Sequence, residues 1–146
     1  MNTADKTINS ISDSEWEVMR IVWTLGKASS SEIINDLQAK KDWTESTIKT
    51  LIRRLVEKNW LTTEKDGRRF IYSAAVNQTD MMYKAAQDLL SRMCDMHKGE
   101  VILKLIADSP ISKGDLAKMT EKISKKEKDA PDMVPCNCLP GKPHMY

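Results

Sequence analysis

Several features that would point to a membrane protein or an enzyme are missing from this sequence of 146 residues. No apolar run approaches the roughly 18 residues that a membrane-spanning helix needs. The first residues, Met1 to Lys6, lack the hydrophobic stretch of a secretory signal, so we expect a cytoplasmic protein with no membrane partner. The 5 glycines offer no phosphate-binding loop, and no nucleophile–base pair or paired carboxylates stand out. An enzyme is therefore the least favoured class.

Cysteine is also scarce, with 3 residues in the chain. Cys136 and Cys138 lie two positions apart near the C-terminus, and in a reducing cytosol such a pair is more typical of a metal or redox element than of a structural bridge. Cys94 lies between two methionines in a helical pattern. We therefore interpret Cys94 as an ordinary buried thiol.

The positive charge of the chain is concentrated in its second quarter. The formal net charge is only +2, but residues 41–75 carry 8 basic and 5 acidic side chains, an excess of +3. A polyanion such as nucleic acid is the kind of partner that this segment could bind.

Three short helices are predicted before residue 60. Ser12 and Glu15 form a capping-box pattern that begins the first helix, and its apolar positions recur until Gly26. Ser29 stands at the start of a second helix, and Thr44 precedes a third with a continuous apolar stripe.

The hydrophobic period changes from that of a helix to that of strands around Asp66-Gly67, a strong signal for a two-residue hairpin. With this pair as the loop, Glu64 is expected to face Arg69 across the ribbon. Three helices followed by a hairpin is the element order of a winged helix-turn-helix.

We therefore predict a mainly α fold with a small β-hairpin, in which a winged helix-turn-helix is followed by C-terminal dimerisation helices. The predicted boundaries are residues 8–76 for the winged-helix DNA-binding domain, 77–128 for the helical dimerisation domain and 129–146 for a flexible metal-binding tail. Gly99 is expected to bend or interrupt the first C-terminal helix. The apolar faces of these helices are predicted to meet a second subunit, the alternative being that they pack on the N-terminal domain.

The polar face of the third predicted helix carries candidate DNA-reading side chains. Small hydroxyl groups lie near its N-terminus with basic groups behind them, which suits entry into a major groove. An ordinary solvated helix face has a similar pattern, but the basic residues at the predicted hairpin tip favour DNA. The candidates are Ser30, Thr44, Ser46, Thr47, Lys49, Thr50, Arg53 and Arg54, with Lys65, Arg68 and Arg69 at the hairpin tip.

Residues 11–19 and 43–58 resemble the penicillinase-repressor family, and the resemblance extends over residues 8–125. That family contains β-lactam-responsive repressors and CopY-type copper-responsive repressors. The resemblance implies a homodimer that binds a palindromic operator in double-stranded DNA through the third helix. It also implies base contacts from Thr47, Lys49 and Thr50, with Arg53 and Arg54 mostly on phosphate.

The tail resembles that of the copper-responsive branch in part. CopY-type repressors carry two Cys-x-Cys pairs four residues apart; Cys136 and Cys138 form the first, but Pro143 and Met145 occupy the places of the second. Thiolates suit Cu(I) and Zn(II), yet two of them do not complete a tetrahedral zinc site. Either two tails of a dimer share one ion, or His144 and Met145 complete a site within one tail.

The resemblance thus implies a repressor of copper-export genes with Cu(I) as its inducer. Zn(II) is the candidate metal of the DNA-bound form, and a copper chaperone is a candidate source of Cu(I). One alternative is a β-lactam-responsive repressor inactivated by proteolysis, which would not need cysteines in its tail. Another is a copper-binding chaperone or buffer whose winged helix mediates protein contacts only.

Overall fold

The computed structural model describes residues 11–141, and the chain divides into two compact units between Gln87 and Asp88. No helix in this described range is both long and apolar enough to cross a membrane. The first unit contains α1 (Asp13–Leu25), β1 (Lys27–Ser29), α2 (Ser30–Gln38), α3 (Glu45–Glu57), β2 (Leu61–Asp66), β3 (Arg69–Ala74) and the start of α4 (Gln78–Ser91). The second unit contains the end of α4, a single 3₁₀ turn (Asp95–His97), α5 (Lys98–Asp108) and α6 (Lys113–Glu127).

Reciprocal capping boxes begin α1 and α2. The amide of Glu15 donates to Ser12 Oγ over 3.1 Å, and the amide of Ser12 donates to Glu15 Oε1 over 3.2 Å. Ser29 and Glu32 repeat the arrangement at the start of α2. These bonds satisfy amides that the first helical turn leaves without partners, so the predicted start of both helices is confirmed.

The core of the first unit forms where the apolar stripes of α1, α2 and α3 meet. Trp60 is completely buried, and its ring lies 5.9 Å from that of Trp16 and 6.4 Å from that of Trp23. Trp23 Nε1 donates to the carbonyl of Val76 over 3.0 Å, which holds the chain before α4 against α1. The residues with no exposed surface are Val18, Met19, Val22, Ile33, Leu37, Ile48, Leu55 and Trp60.

The chain reverses at Asn59, directly after α3. Asn59 has a left-handed φ of 65°. Its amide donates to the Val56 carbonyl over 3.1 Å, and the amide of Trp60 donates to the Leu55 carbonyl over 3.0 Å. This is the bond pattern of a Schellman motif, and it brings the apolar side chains of Leu55 and Trp60 together in the core.

A buried ion pair joins the start of α1 to the end of α3. Lys58 Nζ donates to both carboxylate oxygens of Glu15, at 2.9 Å and 2.8 Å, and Glu15 is only 3% exposed. Burial by itself raises the pKa of Glu15, but the hydrogen bonds from Lys58 and Ser12 and the positive charge of Lys58 together outweigh burial, so the pKa lies below its ordinary value. The carboxylate therefore remains charged inside the unit.

The sheet has three antiparallel strands in the order β1-β3-β2, one more than the predicted hairpin. β1 is only three residues long, too short to show an alternating pattern. Its addition covers one edge of β3, because Ala28 pairs with Tyr72 and Ser29 with Ile71.

The register of the hairpin differs from the predicted one. Asp66 pairs with Arg69, so the loop is Gly67-Arg68, and Glu64 faces Ile71 instead of Arg69. Gly67 has a φ of 66° and occupies the first loop position, as in a type II′ turn. The Asp-Gly signal marked the correct turn, but the glycine is needed one position earlier in the loop than we expected.

The interruption within the C-terminal helical segment lies at a different position from the predicted one. The interruption falls at residues 92–94, before the 3₁₀ turn, and Gly99 is the second residue of α5. α5 ends before Pro110, and Ser112 caps α6 by accepting from the amide of Asp115. Neither α5 nor α6 has a buried residue, and several of their large apolar side chains are exposed: Ile102, Leu103, Leu105, Leu116 and Ile123.

We expect Glu15→Gln to lower the free energy of unfolding by about 1–3 kcal/mol at neutral pH, because the charged hydrogen bonds to Lys58 are removed. Since the folded pKa of Glu15 is lowered, its contribution is complete above the ordinary pKa of about 4.3 and disappears as the pH falls through the lower folded value. Urea unfolding at neutral pH and at about pH 3 measures the difference between wild type and variant. That difference is expected to shrink in acid.

Glu32→Gln is the matched control. Glu32 has the same capping-box role at the start of α2, but no ion pair in the described part of the chain. Its substitution is expected to cost less than Glu15→Gln. A loss of stability for Glu15→Gln that stays the same in acid would contradict the assigned role of the ion pair.

Candidate nucleic-acid interface and metal centre

The N-terminus of α3 is held by threonine hydroxyls. The amide of Thr47 donates to Thr44 Oγ1 over 3.1 Å, and the two hydroxyl oxygens lie 2.9 Å apart. Thr50 Oγ1 donates to the carbonyl of Ser46 over 3.0 Å. Thr44 is therefore the N-cap of α3, while Ser46 and Thr47 lie exposed on its first turn.

The basic side chains of α3 point to solvent, and two of them form weak pairs along the helix. Lys49 lies 3.1 Å from Glu45, and Arg53 lies 3.7 Å from Glu57. All four side chains are more than half exposed. Such pairs contribute about 0–1 kcal/mol, so exchanging a carboxylate for a phosphate costs little. Arg54, also exposed, forms no ion pair within residues 11–141.

A groove of about 470 Å³ separates α3 from the hairpin. Among the candidates, Ser30, Lys49 and Arg53 line it, and Phe70 and Tyr72 form its wall on β3. Phe70 is 50% exposed although it lies on a strand. The recognition-helix candidate and the hairpin therefore flank one surface of the first unit.

The basic residues at the hairpin tip have different surroundings. Arg69 lies 3.6 Å from Asp66, which closes the loop. Lys65 borders a separate depression with Glu64 and Lys27, away from the groove. Arg68 is exposed at the second loop position. The tip of the hairpin is thus basic and accessible. The hairpin residues that line the groove are Thr63, Phe70 and Tyr72, which lie farther from the loop.

Three thiols converge in the second unit. The Sγ atoms of Cys94, Cys136 and Cys138 all lie within 4.8 Å of one another. This corrects the interpretation of Cys94 as an ordinary buried thiol in a helix. Cys94 lies in the break between α4 and α5, with an extended backbone (φ −62°, ψ 127°), and is half-buried.

The segment around Cys136 is held against residues 94 and 95. The amide of Asp95 donates to Asn137 Oδ1 over 2.9 Å, and Cys136 is only 1% exposed. The amide of Cys138 donates to Cys136 Sγ over 3.4 Å, while the Cys138 side chain faces solvent. The cysteine segment of the tail is therefore packed against residues 94 and 95 of the second unit. His144 and Met145 lie outside the described residues.

The environment of Cys138 favours its protonated form. Hydrogen bonding with the Cys136 and Cys94 side chains, then desolvation and repulsion between neighbouring thiolates, raise the pKa of Cys138 to about 12. Three crowded thiols cannot all ionise readily without a compensating cation. Binding of a metal ion would therefore release protons.

The donor set fits a soft metal ion. With metal–sulfur bonds of about 2.3 Å, three thiolates around one ion in a plane lie about 4.0 Å apart, and the sulfurs of this cluster all lie within 4.8 Å of one another. Cu(I) and Zn(II) are the ions that thiolates favour. The sequence pattern did not indicate Cys94, because Cys94 is distant in the chain from the Cys-x-Cys pair and has no ligand spacing of its own.

The order of helices and strands in the first unit, with an exposed polar third helix and a basic hairpin, defines a winged-helix DNA-binding protein. The sequence profile described as Penicillinase repressor matches residues 11–125. The chain belongs to this family of DNA-binding transcriptional repressors and is not an enzyme.

Two curated relatives cover most of the chain. An uncharacterised 16.5 kDa protein in the ptsI 3′ region of Latilactobacillus sakei is 48% identical over 134 residues, which is 92% of each chain. The methicillin resistance regulatory protein MecI of Staphylococcus aureus is 31% identical and covers 84% of this chain and 99% of its own. A solved CopR repressor structure matches 47% of this chain and 99% of its own at 41% identity, with a TM-score of 0.41.

In the reduced, metal-free protein, we expect the last thiolate to form only near pH 12, because Cys138 retains its proton. A thiolate absorbance titration measures this. Cys136→Ala should lower the pKa of Cys138 more than Cys94→Ala does, since Cys136 makes the larger contribution. In the double variant, Cys138 should return towards about 8.5. Ionisation of Cys138 near that value in the wild type would contradict the described cluster.

Proposed function

We propose that this protein is a cytoplasmic, dimeric repressor of copper-homeostasis genes, specifically copper-export genes. In this proposal, it binds a palindromic operator and is released when its C-terminal Cys136 and Cys138 bind Cu(I). The observation that carries the proposal is the cluster of soft thiols in a chain of the repressor family. A hard cation would not select such donors.

The side chains proposed to read the operator lie on α3. Thr47, Lys49 and Thr50 are proposed to contact base edges, with Ser46 beside them; Thr50 is half-buried and the other three are exposed. Arg53 and Arg54 are proposed to bind phosphate, which fixes the register of the helix in the major groove. Ser30 lies at the start of α2 and Thr44 at the start of α3, and both are proposed to contact the DNA backbone there.

The hairpin is proposed to act as a wing on the adjacent backbone. Lys65, Arg68 and Arg69 form its basic tip, and Lys65 and Arg68 form no ion pair in the described part of the chain. Their positive charge supplies an attraction that falls as salt concentration rises.

A second copy of the chain is the proposed partner of α5 and α6. Their exposed leucines and isoleucines have no covering element among the described residues, and Leu103 is 67% exposed. Two copies related by a two-fold axis would match the symmetry of a palindromic operator.

The thiolates of Cys136 and Cys138 are proposed to hold the inducing ion. When bound, Cu(I) supplies strong bonds to soft sulfur and compensates negative charge in the cluster. A shift from 99:1 to 1:99 between the DNA-bound and released states requires a difference in the binding free energy of the ion. The ion must bind the released state more tightly than the DNA-bound state by about 5.5 kcal/mol. Zn(II) is the proposed metal of the DNA-bound form, and a copper chaperone the proposed donor of Cu(I).

The relation to MecI supports a second candidate, a β-lactam-responsive repressor inactivated by proteolysis. Such a protein would be released from DNA by cleavage of its chain. It would have no need of the thiol cluster, and its DNA affinity would not depend on copper.

The sensor assignment predicts that Cys136→Ser with Cys138→Ser leaves the protein bound to its operator at a Cu(I) concentration that releases the wild type. The reason is that serine hydroxyls are poor ligands for a soft ion. Gel-shift titration of a palindromic promoter fragment measures the release. Equal operator affinity of the two proteins without metal is the control for folding. Release of the variant by copper would exclude the sensor role.

The DNA assignment predicts that Arg53→Ala weakens operator binding and reduces the salt slope by about 1 for each phosphate that the variant no longer neutralises. Arg92→Ala is the matched control, because Arg92 also pairs with a carboxylate four residues away but lies in the second unit. Fluorescence anisotropy over a salt series measures both variants. Equal weakening in the two variants, or none in Arg53→Ala, would contradict the proposed interface.

A further inference from the structure

Cys94 lies outside the helices, between the end of α4 and the 3₁₀ turn. α4 ends at Ser91, the backbone is extended at Cys94, and the 3₁₀ turn begins at Asp95. The break turns residue 94 out of the helical path, and its Sγ lies within 4.8 Å of those of Cys136 and Cys138.

An independent contact fixes the register between the two segments. The amide of Asp95, the residue after Cys94, donates to the side chain of Asn137, the residue between the two tail cysteines. These partners are 42 positions apart in the chain. Because Asn137 lies between Cys136 and Cys138, this hydrogen bond is consistent with the position of both tail sulfurs beside that of Cys94. Cys136 closes the buried side of the cluster, whereas the exposed Cys138 leaves access from solvent.

We propose that Cys94 is the third thiolate ligand of the metal site, so that one chain binds one Cu(I) through Cys94, Cys136 and Cys138. The choice of copper rests on the proposed function, whereas the three-sulfur set rests on the geometry. Three thiolates satisfy Cu(I), which accepts low coordination numbers. The same set leaves Zn(II) one ligand short of its tetrahedral shell.

This site differs from both arrangements that the sequence suggested. A site shared by two tails would hold one ion for two chains, and a site completed by His144 or Met145 would not use Cys94. In the three-thiolate site, each cysteine loses its proton to solvent and binds through its sulfur. The ion then links residue 94 to residues 136 and 138, which closes a long loop within the second unit.

The test is anaerobic titration of the full-length, reduced protein with Cu(I) against a competing chelator, together with X-ray absorption at the copper edge. The wild type is expected to bind one ion per chain with three sulfur neighbours. Cys94→Ser is expected to keep two sulfur neighbours and to bind more than about tenfold more weakly, since even removal of an outer-shell partner has an effect of that size. Copper should also protect the wild-type segment after residue 128 from proteolysis more than that of Cys94→Ser.

Met96→Leu is the matched control, because it removes a sulfur two positions from Cys94 without removing a thiol, and it should bind like wild type. Met145→Leu should retain three sulfur neighbours. One ion for two chains, or an unchanged sulfur count and affinity in Cys94→Ser, would overturn the proposal. If Cys94→Ser does not fold, the wild-type stoichiometry and the sulfur count of Met145→Leu decide the question.

These measurements need no DNA, so the site and the proposed function can fail separately. If copper binds to three sulfurs but does not release the protein from the operator, the proposed site is supported and the proposed sensor role is contradicted. If copper releases the protein and Cys94→Ser binds copper with unchanged affinity and sulfur count, the sensor role is supported and the assignment of Cys94 as a ligand is contradicted.

Discussion

The first unit depends on the junction at residues 58–60, where the chain leaves α3. Lys58 places its partly buried positive charge on the buried carboxylate that caps α1, Asn59 takes the left-handed conformation, and Trp60 enters the core beside Trp16. Removal of Lys58 would leave the buried carboxylate of Glu15 without its compensating charge, which is costly. Because this junction sets where α3 ends and β2 begins, it also sets the groove between helix and hairpin.

The two faces of α3 have different environments, because one packs in the core and the other faces solvent. Its apolar stripe packs in the core, where Ile48 and Leu55 are completely buried, and its opposite face carries hydroxyl and basic groups. The ion pairs on that face are weak enough to exchange with phosphate. Packing therefore provides a rigid helix, and solvent exposure leaves its polar face available for an operator.

Local signals were sufficient for most of the fold. Ser12, Ser29 and Thr44 begin helices as predicted, because a capping bond involves residues only three apart and needs no distant partner. The strand β1 and the hairpin register were not predictable in the same way. A three-residue strand has no pattern, and a shift of the loop by one residue changes every cross-strand pair.

The order of the amino acids was enough to establish the repressor family, the helix starts, the apolar stripes and the pair of soft thiols at Cys136 and Cys138. Three-dimensional packing was needed to show that Cys94 joins them. Helix periodicity averages over a segment and does not register a break of a few residues, so Cys94 was predicted to lie in a continuous helix. The approach of two segments 42 positions apart depends on that break and on the Asp95–Asn137 bond, neither of which has a local signature.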